Sequence, residues 1–158
     1  MKTIVVRQAT AEDLETLNRF QQGVIATERP FDPTIKDNPV QYYDIARMLG
    51  SDDIRFVIAK SGSSMVGCGF ARIEAAKPYL KHRMQGYLGL MYVDPAYRGQ
   101  SVIGKIIDAL KHWCRFHGIS ELRLEVYSDN AAAIRAYQKA GFRALSLEMR
   151  LGLSDEGP

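Results

Sequence analysis

The chain has 158 residues, 46% of them apolar and 25% charged, which suits one domain with a substantial core and excludes disorder as the main state. Two cysteines, Cys68 and Cys114, rule out a disulfide scaffold and offer no paired metal-ligand spacing, so no metal is expected. A formal net charge of +3 is too mild to point to nucleic acid. No apolar run reaches the roughly 18 residues of a membrane span, and the opening MKTIVVRQAT is too short in apolar residues for a signal peptide, so the expected location is cytoplasmic.

Residues 3–8 (TIVVRQ) read as a first strand. Thr10, with Asp13 three positions on, marks a helix start, and Leu14, Leu17 and Phe20 follow at helical spacing. A loop over 26–37 carries Pro30 and Pro33. Asp37 or Asn38 is the expected cap of a second helix, with Pro39 in its first turn, an apolar face of Tyr42, Ile45, Ala46 and Leu49, and a stop at Gly50. The period then shortens. Strands are expected over 54–59, 65–74 and 85–93, joined by a turn at 61–64 (SGSS) and a basic loop containing Pro78. Gly67 and Gly69 suit a close backbone approach or a bulge. The strongest helix has the stripe Ile103, Ile106, Ile107, Leu110, Trp113 and Cys114, and Gly118 stops it. A fifth strand is expected over 121–127, a short helix over 130–140 stopped by Gly141, and a last strand over 143–150. The order β-α-α-β-β-β-α-β-α-β makes one α/β domain over 1–150, followed by a flexible tail over 151–158.

The basic excess lies in the second half. Residues 1–80 carry ten basic and ten acidic side chains; residues 81–158 carry eleven and eight. A small anionic ligand on that half fits this split, and so does ordinary surface scatter. The segment 93–105 (VDPAYRGQSVIGK) is more pointed, because it runs from a strand directly into the strongest helix. The first N–H groups of a helix lack internal acceptors and sit at the positive end of its dipole. If residues 100–104 wrap as a turn, those groups converge on one point, with the Arg98 fork beside them. The spacing matches neither a Walker loop nor a dinucleotide fingerprint. A plain glycine-relieved strand-to-helix connection accounts for the segment equally well.

Residues 93–104 (VDPAYRGQSVIG) resemble the acetyl-CoA pyrophosphate loop of the GCN5-related N-acetyltransferase superfamily, and 130–142 (NAAAIRAYQKAGF) resemble its late Asn-Ala-Tyr-Gly-Phe segment. The element order matches over about residues 3–150. Ser101 and Ile103 stand where the family uses small residues, and Gly104 lies one position late. The fourth strand reads LGLMYV, with Gly89 and Leu90 where some relatives carry an acidic pair.

The resemblance implies a mixed, mostly antiparallel sheet splayed between strands 4 and 5, with helices on its faces and acetyl-CoA in the wedge. It places Met91, Tyr92 and Val93 along the pantetheine arm. Arg98, Gly99, Gln100, Ser101, Val102, Ile103 and Gly104 would hold the pyrophosphate. Asn130, Ala133 and Tyr137 would line the other wall, and Tyr137 would protonate the leaving thiolate. Without the resemblance, Tyr137 is simply an apolar-stripe residue of a short helix. For the base, Glu28, Glu74, His82, Glu125 and a water chain all remain open.

The acceptor is expected to be a small-molecule amine or amino acid. Glu28, Arg29, Phe31 and Asp32 are the loop residues closest to it, and Tyr79, Tyr87 and Tyr92 are candidate pocket walls. An acidic residue there favours a cationic amine, while Arg29 favours a carboxylate. A protein N-terminus or lysine, and a non-catalytic acyl-CoA sensor, are the alternative functions. A homodimer is a candidate assembly.

Overall fold

The computed structural model describes residues 2–155; the last three positions of the expected tail lie outside the described residues. Strands β1 (Ile4–Gln8), β2 (Ile54–Ser61), β3 (Ser64–Ala75) and β4 (Met84–Val93) pair in sequence order, each antiparallel to the next. A short fifth strand, β5 (Leu122–Arg123), joins β4 in parallel through Gly86 and Tyr87. Parallel pairing requires a crossover, and α3 (Val102–Phe116) supplies it.

The middle of the sheet is buried on both faces, so the central stretches of β2 and β3, residues 56–59 and 66–71, are apolar or glycine. In β2, Val57 and Ala59 point toward α3, where they meet Ile106, Ile107, Leu110 and Trp113. The alternating Phe56 and Ile58 point the other way, toward Leu17 and Phe20 of α1 (Leu14–Glu28) and Ile45 of the short helix α2 (Ile45–Met48). Cys68 and Cys114 are buried within these two layers, and burial raises both thiols, Cys114 to about 11.

The start of the first helix matches its sequence signature. Asp13 accepts the Thr10 backbone N–H at 2.8 Å and both guanidinium nitrogens of Arg7, at 2.8 and 2.9 Å. Helix α1 continues to Glu28, deeper into the region expected to be loop. The second helix is far shorter than its apolar face suggests. It starts at Asp44, whose side chain accepts the Arg47 N–H, and not at Asp37 or Asn38. Pro39 follows a cis peptide bond in the preceding loop. That loop is instead held by Gln21, fully buried in α1. Its Oε1 accepts the Tyr42 and Tyr43 N–H groups at 2.9 and 2.8 Å. A side chain that caps two loop amides replaces the helical turn that the spacing implied.

Two further expectations are corrected. The fifth strand stops after Arg123, because the sheet splays there and residues 124–127 find no ladder partner among the described residues. Residues 143–150 form no strand. They leave the core after Phe142 without regular structure and are exposed throughout. Within the expected tail, Leu153–Asp155 forms one 3-10 turn.

Candidate active site

A bulge in β4 shapes the site. Cys68 pairs with Tyr92 and Phe70 with Gly89, so Leu90 and Met91 together face the single residue Gly69. Leu90 takes φ 48, and its freed carbonyl accepts the Cys68 thiol at 3.3 Å. Glycine is required opposite the bulge. A Cβ on Gly69 would lie 2.7 Å from the Met91 sulfur and 2.8 Å from Ile106 Cγ2. The same geometry explains the missing acidic pair. A Cβ on Gly89 would lie 2.6 Å from Phe70 Cε2 and 3.0 Å from the Tyr43 hydroxyl, so aromatic rings occupy the space of any side chain there.

Beyond the bulge, β4 and the chain after β5 diverge around a cleft of about 720 Å³. Met91, Tyr92 and Val93 form one wall. Arg98, Gly99, Ser101, Val102, Ile103 and Gly104 form its floor at the start of α3, and Asn130, Ala133 and Tyr137 form the opposite wall from α4 (Ala131–Lys139). Of the expected residues only Gln100 stays off the lining. Gly99, just before it, is in left-handed conformation at φ 79.

The start of α3 presents unpaired N–H groups at this floor. Ser101 precedes α3 in left-handed conformation, φ 62, and makes no side-chain cap bond. The first internal bond of the helix runs from the Lys105 N–H to the Ser101 carbonyl, which leaves the Val102, Ile103 and Gly104 N–H groups for a ligand. Arg98, Lys111 and Lys139 also line the cleft. A Cβ on Gly99 or Gly104 would meet nothing within 4 Å, so the space above both is open. Ile103 serves two roles. It packs on the core cluster under α3 and still presents an edge to the cleft. These donors fit a pyrophosphate, and the long cleft fits the arm of acetyl-CoA.

The α4 wall is fixed by its own cap. Asn130 Oδ1 accepts the Ala133 N–H at 3.2 Å, so that amide is taken and the Asn130 side-chain NH2 is the group left to face the cleft. Tyr137 packs between the core and the cleft, edge-on to Phe142 at 6.1 Å. Burial first, and the Glu28 charge second, push its hydroxyl up to about 12. It is therefore protonated at neutral pH.

The four candidate bases separate cleanly. His82 bonds Gln85 at 2.9 Å, Gln85 bonds Glu74, and Glu74 pairs with Arg72 at 3.2 Å, a chain at the far end of β3 and β4 that lines no part of the cleft. Glu28 and Glu125 do line it. Burial raises the Glu28 carboxyl most, and the Asp32 charge adds to the shift, while the Tyr42 hydroxyl lowers it. The Tyr42 oxygen is buried without a partner at hydrogen-bond geometry.

The loop after α1 is tied across the mouth. The Tyr127 hydroxyl donates to Asp32 at 2.9 Å, and its ring stacks on Phe31. Arg29 is occupied within the loop, donating to the Lys36 carbonyl at 2.7 Å and to Asn38 at 2.8 Å. Tyr92 lines the cleft and stacks on Phe20 at 4.7 Å, Tyr87 sits deeper against Tyr43 and Arg72, and Tyr79 is exposed and away from the cleft. Val24, Thr27, Tyr97, Ala132 and Ala136 also line the cleft. Only their place on helix faces beside the motifs could have signalled them.

Among curated relatives, an IAA acetyltransferase of Azospirillum brasilense is 32% identical over 94 residues, 60% of this chain and 58% of that protein. The N-alpha-acetyltransferase RimI of Mycobacterium tuberculosis is 30% identical over 117 residues, 73% of this chain and 69% of that protein. This chain thus matches little more than half of the first relative's length and about two thirds of the second's. Among solved structures, a Bacillus halodurans protein superposes with a TM-score of 0.83 at 19% identity, covering 94% of this chain and 99% of its own. A predicted acetyltransferase of Clostridium acetobutylicum, solved with acetyl-CoA, gives 0.72 at 18% identity over 98% and 99%. Such likenesses establish the fold. Residues 19–142 match the sequence profile of the acetyltransferase (GNAT) family, and the chain belongs to that family.

Proposed function

We propose that this chain is an acetyl-CoA-dependent N-acetyltransferase acting on a cationic primary amine, with Tyr137 as the acid and Glu28 as the base. The observation that carries the reading is the meeting, in one cleft, of the free N–H groups at the start of α3, the Tyr137 hydroxyl and the Glu28 carboxylate. Acetyl-CoA supplies the acetyl group as an activated thioester.

Backbone N–H groups of α3 and Arg98 hold the diphosphate, and the β4 bulge offers backbone groups of Met91 to the arm. Glu28 removes a proton from the ammonium, leaving a nucleophilic amine. As nitrogen bonds the carbonyl carbon and the carbon–sulfur bond breaks, Tyr137 donates toward sulfur. The two groups are coupled. The Glu28 charge helps hold the Tyr137 proton, so proton uptake by Glu28 makes Tyr137 a stronger acid as sulfur needs it. The second proton of the nitrogen restores the Tyr137 hydroxyl and Glu28 releases its proton to water, so the products are the acetylated amine, the free thiol and one proton.

The charge of the mouth supports a cationic acceptor. Arg29, the residue that would attract a carboxylate, is spent on its own loop, whereas Glu28 and Glu125 face the cleft among tyrosine rings. A protein N-terminus is the second reading, favoured by relatives named N-alpha-acetyltransferases at 29–30% identity. A screen of acetyl-CoA turnover against polyamines, amino sugars, amino acids and short peptides separates these. With the best acceptor, Tyr137→Phe is expected to lose about 10²-fold in kcat with little change in KM for acetyl-CoA. Wild-type turnover by that variant overturns the acid role. Thermal stabilisation by acetyl-CoA with no turnover of any amine supports a non-catalytic sensor instead.

A further inference from the structure

Among the described residues, one buried side-chain polar atom closes no hydrogen bond: the hydroxyl oxygen of Tyr42. A buried hydroxyl without a partner is destabilising, and phenylalanine would fill the same space without that cost. The segment that carries it is clamped against α1. Gln21 Oε1 accepts the Tyr42 and Tyr43 N–H groups, Gln21 Nε2 donates to the Tyr43 carbonyl at 3.4 Å, and Gln22 Nε2 donates to the Val40 carbonyl at 2.8 Å. Gln21 and Glu28 are seven positions apart, two helical turns, and so share one face of α1. The Tyr42 hydroxyl meets the Glu28 carboxylate, which acts on it both as a charge and as an acceptor. From the other side the hydroxyl faces the hydrogen-bonded pair of Tyr127 and Asp32.

We propose that Tyr42 is the positioning residue of Glu28: its hydroxyl is the donor kept for the charged carboxylate, aiming it into the cleft and holding it ionised where burial would neutralise it. The other groups around Glu28 are committed or have the wrong sign. Asp32 opposes the charge, and Glu125 on the cleft wall is a second acid. The Tyr127 hydroxyl donates to Asp32, the Tyr43 hydroxyl is set against Tyr87, and Tyr137 stands on the α4 wall where sulfur is released. Tyr42 is the group that opposes the rise of the Glu28 carboxyl. Tyr42 itself lines no part of the cleft, so it acts through Glu28 and not on the acceptor. The clamp at Gln21 gives this role its precision, because it fixes the backbone of Tyr42 to the same helix that carries the base. The inference rests on the reading of Glu28 as the base.

Carbon-13 titration of the Glu28 side-chain carboxyl, in the full chain without acetyl-CoA or amine, reads the pairing directly. A donor to the charged form holds a carboxyl down, so Tyr42→Phe should raise the Glu28 midpoint by about half to one pH unit. The acid limb of kcat/KM should move up by the same amount, with the plateau above it within about threefold of wild type. An unchanged or lowered Glu28 midpoint in folded Tyr42→Phe overturns the proposal. A second reading needs no variant: in wild type the Tyr42 ring carbon bearing the hydroxyl should shift with the same midpoint as the Glu28 carboxyl, and a Tyr42 signal indifferent to that titration overturns the pairing. The two readings fail separately. If Glu28→Gln is inactive but Tyr42→Phe leaves the Glu28 midpoint in place, the base stands and the role of Tyr42 falls. If the midpoint moves but Glu28→Gln keeps wild-type turnover, the base falls, and with it the catalytic use of a pairing that the titration upholds.

Discussion

Glu28 is held against two opposing influences: burial and the Asp32 charge raise its carboxyl, and the Tyr42 hydroxyl lowers it, with burial the largest. A raised carboxyl loses its charge as pH falls through a value above the ordinary 4.3 or so. As a base it must be ionised, so kcat/KM should decline on the acid side with a midpoint above that value. Glu28→Gln should remove this limb and lower kcat by about 10²-fold. Stability has the opposite sign. Because folding disfavours the charged form, Glu28 weakens the fold above its folded pKa, and the cost disappears as pH falls through it. Glu28→Gln should therefore melt higher than wild type at pH 7 and lose that advantage at low pH. Inactivity together with a higher melting temperature is the signature of a group kept for chemistry, and a variant that is both inactive and less stable argues for a structural role.

Among the elements, those with a local cause were legible. Helix α3 has an unbroken apolar stripe and a glycine at its end, the middles of β2 and β3 are apolar on both faces, and Thr10 with Asp13 announces α1. Elements decided by distant contacts were not. The face from Tyr42 to Leu49 reads as a helix, yet buried Gln21, twenty-one positions away, captures the Tyr42 and Tyr43 amides and leaves only one turn. Residues 143–150 alternate as a strand should, yet they join no strand of the sheet, because pairing depends on a neighbouring edge and not on alternation alone. The cleft followed the same division. The turn before α3 and the α4 wall were readable from their motifs, whereas the bulge at Leu90 depends on the register between β3 and β4, and the exclusion of His82 on a side-chain chain across them. Ser101 is where the motif and the backbone disagree. It adopts φ 62 where glycine carries no Cβ penalty, at a cost of about 1 kcal/mol. Ser101→Gly should raise stability by about 0.5–1 kcal/mol in urea unfolding and leave the KM for acetyl-CoA unchanged or lower. A weaker fold or a raised KM would mean that the Ser101 side chain itself contributes at the cleft.

At the scale of the whole molecule, the two walls of the cleft are held with unequal strength. The β1–β4 sheet has long antiparallel ladders and two buried layers, and it carries Met91, Tyr92 and Val93. The other wall hangs on a ladder of two residue pairs, Gly86 with Leu122 and Tyr87 with Arg123, and no residue of α4 is buried. Its further ties among the described residues include Leu122, Leu124, Tyr137, Ala140 and Phe142 against the core, Lys111 to the Ala140 carbonyl at 2.8 Å, and Tyr127 to Asp32. A segment with little buried surface and few hydrogen bonds opens at lower free energy than the core. A ligand that spans both walls binds only the closed form, so it removes that opening by mass action, by about 2.7 kcal/mol at a hundredfold excess over Kd. Acetyl-CoA should therefore slow amide exchange most in residues 131–140, by up to about a hundredfold at such saturation, and leave β2 and β3 nearly unchanged. Uniform protection across the sheet would mean that the two walls already open together as one unit. Protection confined to the start of α3 would mean that the pantetheine arm does not reach α4, and Tyr137 would then stand too far from sulfur to act on it.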